Sequence, residues 1–406
     1  MVSSLVRVLG VRHIALAEDA VQDALLRALE TWKFGQAPEN PAAWLMRSAR
    51  NRAIDRLRRE ASFDRIAPAA AMVFESDSAR ENPGETHAIA DDELRLMFSC
   101  CDPGLAPPAQ VAVILKYLCG FSLQEIAQAF LSSEAAMEKL LYRARRALEA
   151  RGALFEVRDA AQVRTRLASV QSAIYLLFNE GYHGAHPEQA VREDLCHEAM
   201  RLAVLLSRLR AAAGPETQAL LALFCFLAAR LSARMSDDGN LLLLAEQDRG
   251  RWERELIAEG LRHLDRSAEG EALTAWHIEA AIAARHSTAA SFADTDWASI
   301  RELYDLLFRL RPTPVVALNR AIAVGMAEGP EAGLRAIAAI EDRERLERYL
   351  FLPAAIAEFE LRAGRPRSAG EHLRAAERLA RNPAEKALVL RKLAACGVEA
   401  DRAPGA

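Results

Sequence analysis

Apolar residues recur at spacings of three and four along almost the whole chain, and runs that alternate apolar and polar positions in the manner of a strand are missing. That period puts the apolar side chains on one stripe of a helix, so the expected fold class is all-α. With 406 residues, of which 51% are apolar and 27% charged, the chain can support two or three helical domains with real cores. No apolar run approaches the ~20 residues that span a bilayer, and no charged segment followed by an apolar one opens the chain, so no membrane partner is expected. Six cysteines in such a length are too sparse for a disulfide framework, and the neighbours Cys100 and Cys101 are awkward to bridge to each other. Reduced thiols and a cytoplasmic location follow as expectations.

Helical periodicity predicts a helix over about residues 16–33, a break at "FGQAPENP", and a second helix over about 41–59 with Asn40 as cap and Pro41 in the first turn. From about residue 61 to 90 the sequence loses its period and gathers Ser, Pro, Asn and Gly, which reads as a linker. A second helical block runs from Asp91 to Gly152, and from about 160 onward short amphipathic helices follow one another. Two late stretches, "ALNRAIAVGMAEGPEAGLRAI" and "AAIAEFELRAGRPRSAGEHLRAAERLA", each read as helix, Gly-containing turn and helix. In the second, Gly364, Ala369, Leu373 and Ala376 fall close to the tetratricopeptide-repeat pattern, with a generic helical bundle as the plainer alternative.

The formal net charge is -4, so any nucleic-acid binding has to come from a local patch. "RNRAIDRLRRE" (Arg50 to Glu60) is such a patch, with five arginines in eleven residues. Arg52, Arg56 and Arg59 lie on one helical stripe and Asn51, Asp55 and Arg58 on the next, while Leu45, Ala49, Ile54 and Leu57 can face a core. Guanidinium groups suit phosphates and Asn can read a base edge; a solvated helix with Asp55 paired to an arginine is the alternative.

In "FSLQEIAQAFLSSEAAMEKLLYRARRALEARG", Ser122 and Glu125 form a potential capping box, "LSS" is a turn, and Ser133 can cap the next helix. This is helix-turn-helix spacing, with Ile126, Ala127, Met137 and Leu141 as candidate core positions. Further upstream, "LAEDAVQDALLRALETW" carries an acidic and amide face of Glu18, Asp19, Gln22 and Asp23, opposite Leu25, Leu26 and Leu29. Such a face can dock a basic helix or remain an ordinary surface.

Taken together, "LAEDAVQDALLRALETW", "NPAAWLMRSARNRAIDRLRRE", "DDELRLMFSCCDPGLAPPAQVAVILKYLCGFSLQEIAQAFLSSEAAMEKLLYRARRAL" and "YLLFNEGY" resemble the extracytoplasmic-function sigma factors of bacterial RNA polymerase, in particular the subgroup with a long C-terminal tetratricopeptide-like extension. "LAEQDRGRWERELIAEG" and "PTPVVALNRAIAV" in the extension are similar to that subgroup too. The resemblance implies sigma region 2 over residues 1–62, a linker over 63–90, a region 4 helix-turn-helix over 91–152 and a helical extension over 153–406. It implies that Asp19, Gln22 and Asp23 grip core polymerase, and that Asn51, Arg52, Asp55, Arg56, Arg58 and Arg59 serve the minus-ten element. Ser133, Glu134, Lys139, Arg143, Arg145 and Arg146 would serve the minus-thirty-five element. The implied partners are core RNA polymerase, through its β′ clamp helices and β flap, and promoter DNA; in that subgroup the extension is tied to activity control in place of a separate anti-sigma factor, and here it is expected to contact either the sigma domains, intramolecularly, or polymerase. The chain departs from the pattern at its start, "MVSSLVRVLG", where the first helix is expected to be shortened. It departs also at Ala136, Glu138 and Leu140 of the recognition helix, and at Asp102, where the subgroup usually has His after Cys100 and Cys101.

No enzyme motif with a convergent nucleophile and base is present, and no cofactor is expected. His183, His186, Cys196 and His197 could be assembled into a metal site on paper, but their spacing fits no strong zinc pattern, so no metal is expected. "NEGYHG" reads as a helix ending at Gly181, and "DTDW" as a helix N-cap followed by a buried aromatic. The competing reading of the whole chain is a polymerase-independent helix-turn-helix regulator with a ligand- or protein-sensing helical domain.

Overall fold

The helical period is realised among the described residues. The computed structural model describes residues 1–9, 13–32, 38, 40–59, 89, 91–151, 157, 159–184 and 186–397, and among these it contains eighteen α-helices and no strand beyond one isolated bridge between Met235 and Leu241. Apart from Ile89, the predicted linker 63–90 lies outside the described residues. The chain divides into two compact units, Met1–Ile174 and Tyr175–Ala406.

The first unit holds α1 (Val2–Leu9), α2 (Ile14–Thr31), α3 (Pro41–Arg59), α4 (Asp92–Cys100), α5 (Pro107–Tyr117), α6 (Leu123–Ala129), α7 (Glu134–Arg151) and the start of α8 (Ala160–Tyr182). Local signals set the ends of these helices. Asn40 accepts the N–H of Ala43 at 3.0 Å ahead of Pro41, and Asp91 accepts that of Leu94 at 2.8 Å to start α4. Helix α2 buries a small-residue face, Ala17, Ala20, Ala24 and Ala28, and α3 packs on α2 with Ala49 and Ala53 fully buried. Small side chains at i and i+4 let two helices approach closely. Leu5, Val6 and Leu9 anchor α1, which packs on α2 and α4. Arg166 in α8 donates to the carbonyl of Phe98 at 3.1 Å.

Cys100 and Cys101 are fully buried, and burial pushes the Cys101 thiol up to about 12 and that of Cys100 higher still. They therefore remain protonated packing groups. Asp102 shapes the turn that follows: its carboxylate accepts the N–H of Gly104 at 2.6 Å and its carbonyl accepts Gln110 Nε2 at 2.8 Å.

The second unit continues α8 with α9 (Glu193–Arg208), α10 (Pro215–Ala228), α11 (Arg254–Ser267), α12 (Ala275–Thr288), α13 (Trp297–Leu310), α14 (Pro314–Glu328), α15 (Pro330–Ala338), α16 (Phe351–Arg362), α17 (Pro366–Leu379) and α18 (Pro383–Ala395). Neighbours in sequence pack as neighbours in space: α14 on α15, α16 on α17 and α17 on α18. Ala369, Leu373 and Ala376 are buried against Ala357, Val389 and Leu393, and Gly364 takes the left-handed φ of +74° that turns α16 into α17. Helix α10 is buried on all sides among α9, α11 and α12, with the Phe224 ring stacked 4.4 Å from that of Phe178. This corrects one expectation. The segment Pro215–Ala233 is long and apolar enough to cross a membrane, and its apolarity is spent on the core of this unit.

Two other readings are refined. Gly181 does not end its helix, which runs on to Tyr182; a Cβ at Gly181 would lie 2.6 Å from the Arg192 carbonyl, so glycine is there for the close approach of the next segment. Asp296 does cap α13, accepting the Ser299 N–H at 3.0 Å, whereas Trp297 is only partly buried.

His286 is mostly buried beside Arg230 and Arg249, and burial followed by those charges pulls it down from 6.5 to about 4. The unfolded chain thus binds a proton that the folded one refuses between these values, so stability rises with pH across that window and falls on acidification. His286→Asn is expected to flatten the dependence of the urea midpoint on pH between about 6.5 and 4, which unfolding curves at a series of pH values will read.

Candidate functional site

Two surfaces of the first unit carry the residues singled out from the sequence. On the first, α2 and α3 run antiparallel as a hairpin, with the Trp32 and Trp44 rings 5.2 Å apart near its closed end. Their exposed sides are laced by two ion pairs: Arg52 Nε to Asp23 Oδ2 at 2.8 Å and Arg56 Nη1 to Asp19 Oδ2 at 3.0 Å. The spacing of four on each helix makes this a ladder, 19 with 56 and 23 with 52. Gln22 donates to Glu18 at 3.2 Å, and Glu18 is itself 3.7 Å from Lys116 of α5. Burial raises the Glu18 carboxyl above its ordinary value although Lys116 acts against it.

The structure therefore brings together two sets of residues that sequence reasoning kept apart, the acidic face of α2 and the arginine face of α3. Asn51 and Asp55 are exposed on the same helix, while the side chains of Arg58 and Arg59 lie outside the described residues. Of the core positions proposed for α3, Ala49 is buried and Leu45 and Ile54 are half-buried; Ala53 takes the second fully buried place, and the Leu57 side chain lies outside the described residues.

The second surface is the helix-turn-helix. Ser122 Oγ accepts the Glu125 N–H at 3.1 Å and the Glu125 carboxylate accepts the Ser122 N–H at 2.6 Å, completing the capping box. Leu131 turns the chain with a left-handed φ of 47°, and Ser133 Oγ accepts the Ala136 N–H at 3.2 Å to start α7. Ile126, Ala127, Met137 and Leu141 are all buried, as their spacing predicted. On the outer face of α7, Glu134, Lys139, Arg143 and Arg146 are exposed, while Arg145 is half-buried. Arg145 and Arg146 both lie 3.4 Å from Glu149.

Comparison with known proteins shows which domains carry these surfaces. Residues 1–63 match Sigma-70 region 2, and residues 98–148 match Sigma-70, region 4. The chain belongs to the sigma-70 family. Residues 166–268 of this sigma-70 protein match a family of unknown function, DUF6596. The chain is 41% identical over 342 residues to Uncharacterized protein R00370 of Rhizobium meliloti (strain 1021), covering 84% of this chain and 80% of that protein. No solved structure matches. The role these domains carry is transcription initiation, and the partners they imply are core RNA polymerase and promoter DNA.

Sequence reasoning about the sigma-70 domains missed two features. Leu25, Leu26 and Leu29 do not form the core face of α2: all three are exposed, Leu29 by 76%, because the Ala face is the one that meets α3. Tyr142 is exposed by 58% on α7, with Arg145 5.8 Å from its ring centroid. The flanking arginines were the only signal for it. His183, His186, Cys196 and His197 do not converge: His183 meets Arg234, Cys196 donates to the Phe178 carbonyl at 3.6 Å, and no cluster of metal-ligating side chains occurs among the described residues.

Proposed function

We propose that the chain is an extracytoplasmic-function type sigma factor whose α2 docks on the β′ clamp helices of core polymerase through Asp19, Gln22 and Asp23. On this reading α3 opens and holds the minus-ten element with Asn51, Arg52, Asp55, Arg56, Arg58 and Arg59. Helix α7 enters the major groove of the minus-thirty-five element with Ser133, Glu134, Lys139, Arg143, Arg145 and Arg146, beside the β flap. The extension from residue 153 on acts as a tetratricopeptide-like surface that modulates activity, and the protein works in the cytoplasm.

The observation that supports this reading best is the ladder between α2 and α3. Exposed ion pairs such as Arg52 with Asp23 are weak and exchange readily. A basic clamp helix competing for Asp19 and Asp23 would release Arg52 and Arg56 toward DNA phosphates, so that polymerase docking and the DNA grip reinforce each other. On the same reading, the ladder holds the arginine-rich helix of a protein of net charge -4 away from DNA until core polymerase is engaged.

Promoter opening tests the reading. Holoenzyme rebuilt from this protein and core polymerase is expected to make thymines near the start site of promoters from its own genome reactive to permanganate, where core alone does not. Equal binding of duplex promoter with and without core polymerase, and no opening, would contradict it in favour of a polymerase-independent regulator.

A further inference from the structure

In the second unit Arg230, Arg234 and Arg249 gather around Tyr182 and Trp252 without an ion pair of their own, although other partly buried arginines of the unit have one, Arg311 with Glu279 and Arg381 with Glu385. Arg234, 5% exposed, lies 3.8 Å above the Tyr182 ring and reaches His183 Nδ1 at 3.2 Å. Arg230 donates to the Tyr182 hydroxyl and lies 5.6 Å from the Trp252 ring centroid, while Arg249 lies 4.4 Å from the same ring. Arg249 spends one nitrogen on the carbonyls of His286 and Ala289, at 2.8 and 2.7 Å. Among the described residues no carboxylate lies within ion-pair distance of Arg230, Arg234 or Arg249. Four buried donors of the cluster have no hydrogen-bond partner among the described residues: Nε of Arg230, Nε of Arg234, Nη2 of Arg249 and Nε1 of Trp252.

Buried guanidiniums normally carry a carboxylate, because a buried unpaired charge is costly. The local potential is accordingly positive. Burial and then Arg234, Arg381 and Arg230 hold His183 well below its ordinary value. Burial would raise the Tyr182 phenol, yet Arg230 and Arg234 outweigh it and hold the phenol below its usual range.

We propose that Arg230, Arg234, Arg249 and the Trp252 N–H bind a phosphoryl group, making the second unit a receptor for a small phosphorylated ligand or free phosphate. A phosphoryl group is acceptor-only and dianionic, which answers a donor-only set of three guanidiniums better than a single carboxylate does. A small anion is favoured over a nucleic-acid backbone because Arg234 and Trp252 are 5% and 4% exposed. Arg230 and Arg249 are only partly buried and give the approach.

The test is thermal unfolding of the full chain in sodium phosphate, in AMP and in sodium chloride at matched ionic strength. Phosphate or AMP is expected to raise the midpoint saturably below about 10 mM, and chloride is expected to leave it unmoved. A stronger response to AMP marks an organic phosphate, and an equal one marks free phosphate. Arg234→Gln is expected to weaken the effect roughly tenfold or more, and Trp252→Phe, which keeps a ring and removes only the indole donor, to weaken it severalfold. Should Arg234→Gln fail to fold, Trp252→Phe still decides. Equal shifts in chloride and phosphate, or unchanged phosphate binding in a folded variant, would overturn the proposal and leave the cluster as a cation–π stack.

Discussion

Replacing Arg52 and Arg56 together with glutamine is expected to leave core polymerase binding in place and to abolish promoter opening. Both guanidiniums are exposed, and each pairs with an exposed carboxylate of α2, so their loss costs the hairpin little. What it removes is cationic charge beside the strand that α3 is proposed to capture. Each phosphate of single-stranded DNA left without its guanidinium should flatten the log-log salt dependence by about 0.7, so the double variant is expected to lose roughly 1.4 in slope and a hundredfold or more in opening at moderate salt. Permanganate reactivity against salt concentration reads both. If core binding falls in step with opening, the arginines brace the hairpin and do not touch DNA.

A second large effect is expected in the second unit, where Phe359, 1% exposed, fills a crossing prepared by two glycines. A Cβ on Gly325 would come within 2.2 Å of the Phe359 ring and one on Gly333 within 2.7 Å, so α14 and α15 leave the room that the ring of α16 occupies. Phe359→Ala is expected to destabilise this unit by about 3–5 kcal/mol through the cavity it opens. Gly325→Ala should cost about 1–3 kcal/mol through overpacking. Because one methyl occupies space that the other change vacates, the double variant should be less destabilised than the sum of the two. Urea unfolding of the four proteins gives the coupling directly, and strict additivity would mean that ring and glycine do not share that space.

Local features were the legible ones. The capping box at Ser122, the turn at Ser133 and the buried quartet Ile126, Ala127, Met137 and Leu141 follow from side-chain spacing within a few residues, and they stand where the period placed them. The same spacing does not pick out the buried face of α2, because hydrophobicity points to Leu25, Leu26 and Leu29 whereas close packing buries Ala17, Ala20, Ala24 and Ala28. Which face is buried depends on how near α3 must come, and one helix alone does not carry that information. The ladder of Asp19 and Asp23 with Arg56 and Arg52 needs the antiparallel register of the hairpin. The cluster of Arg230, Arg234 and Arg249 around Tyr182 and Trp252 is still further from reach, because its members come from separate turns and helices.

The central claim is that the acidic face of α2 is the polymerase dock. Its most direct test is size-exclusion chromatography of the full-length protein with bacterial core RNA polymerase, beside the triple variant Asp19→Ala, Gln22→Ala, Asp23→Ala. The account predicts stable co-elution of the wild type and its loss in a variant that remains folded by circular dichroism. Co-elution undiminished by the three substitutions would contradict that assignment, and a folded wild type that never associates with core would contradict the sigma reading itself.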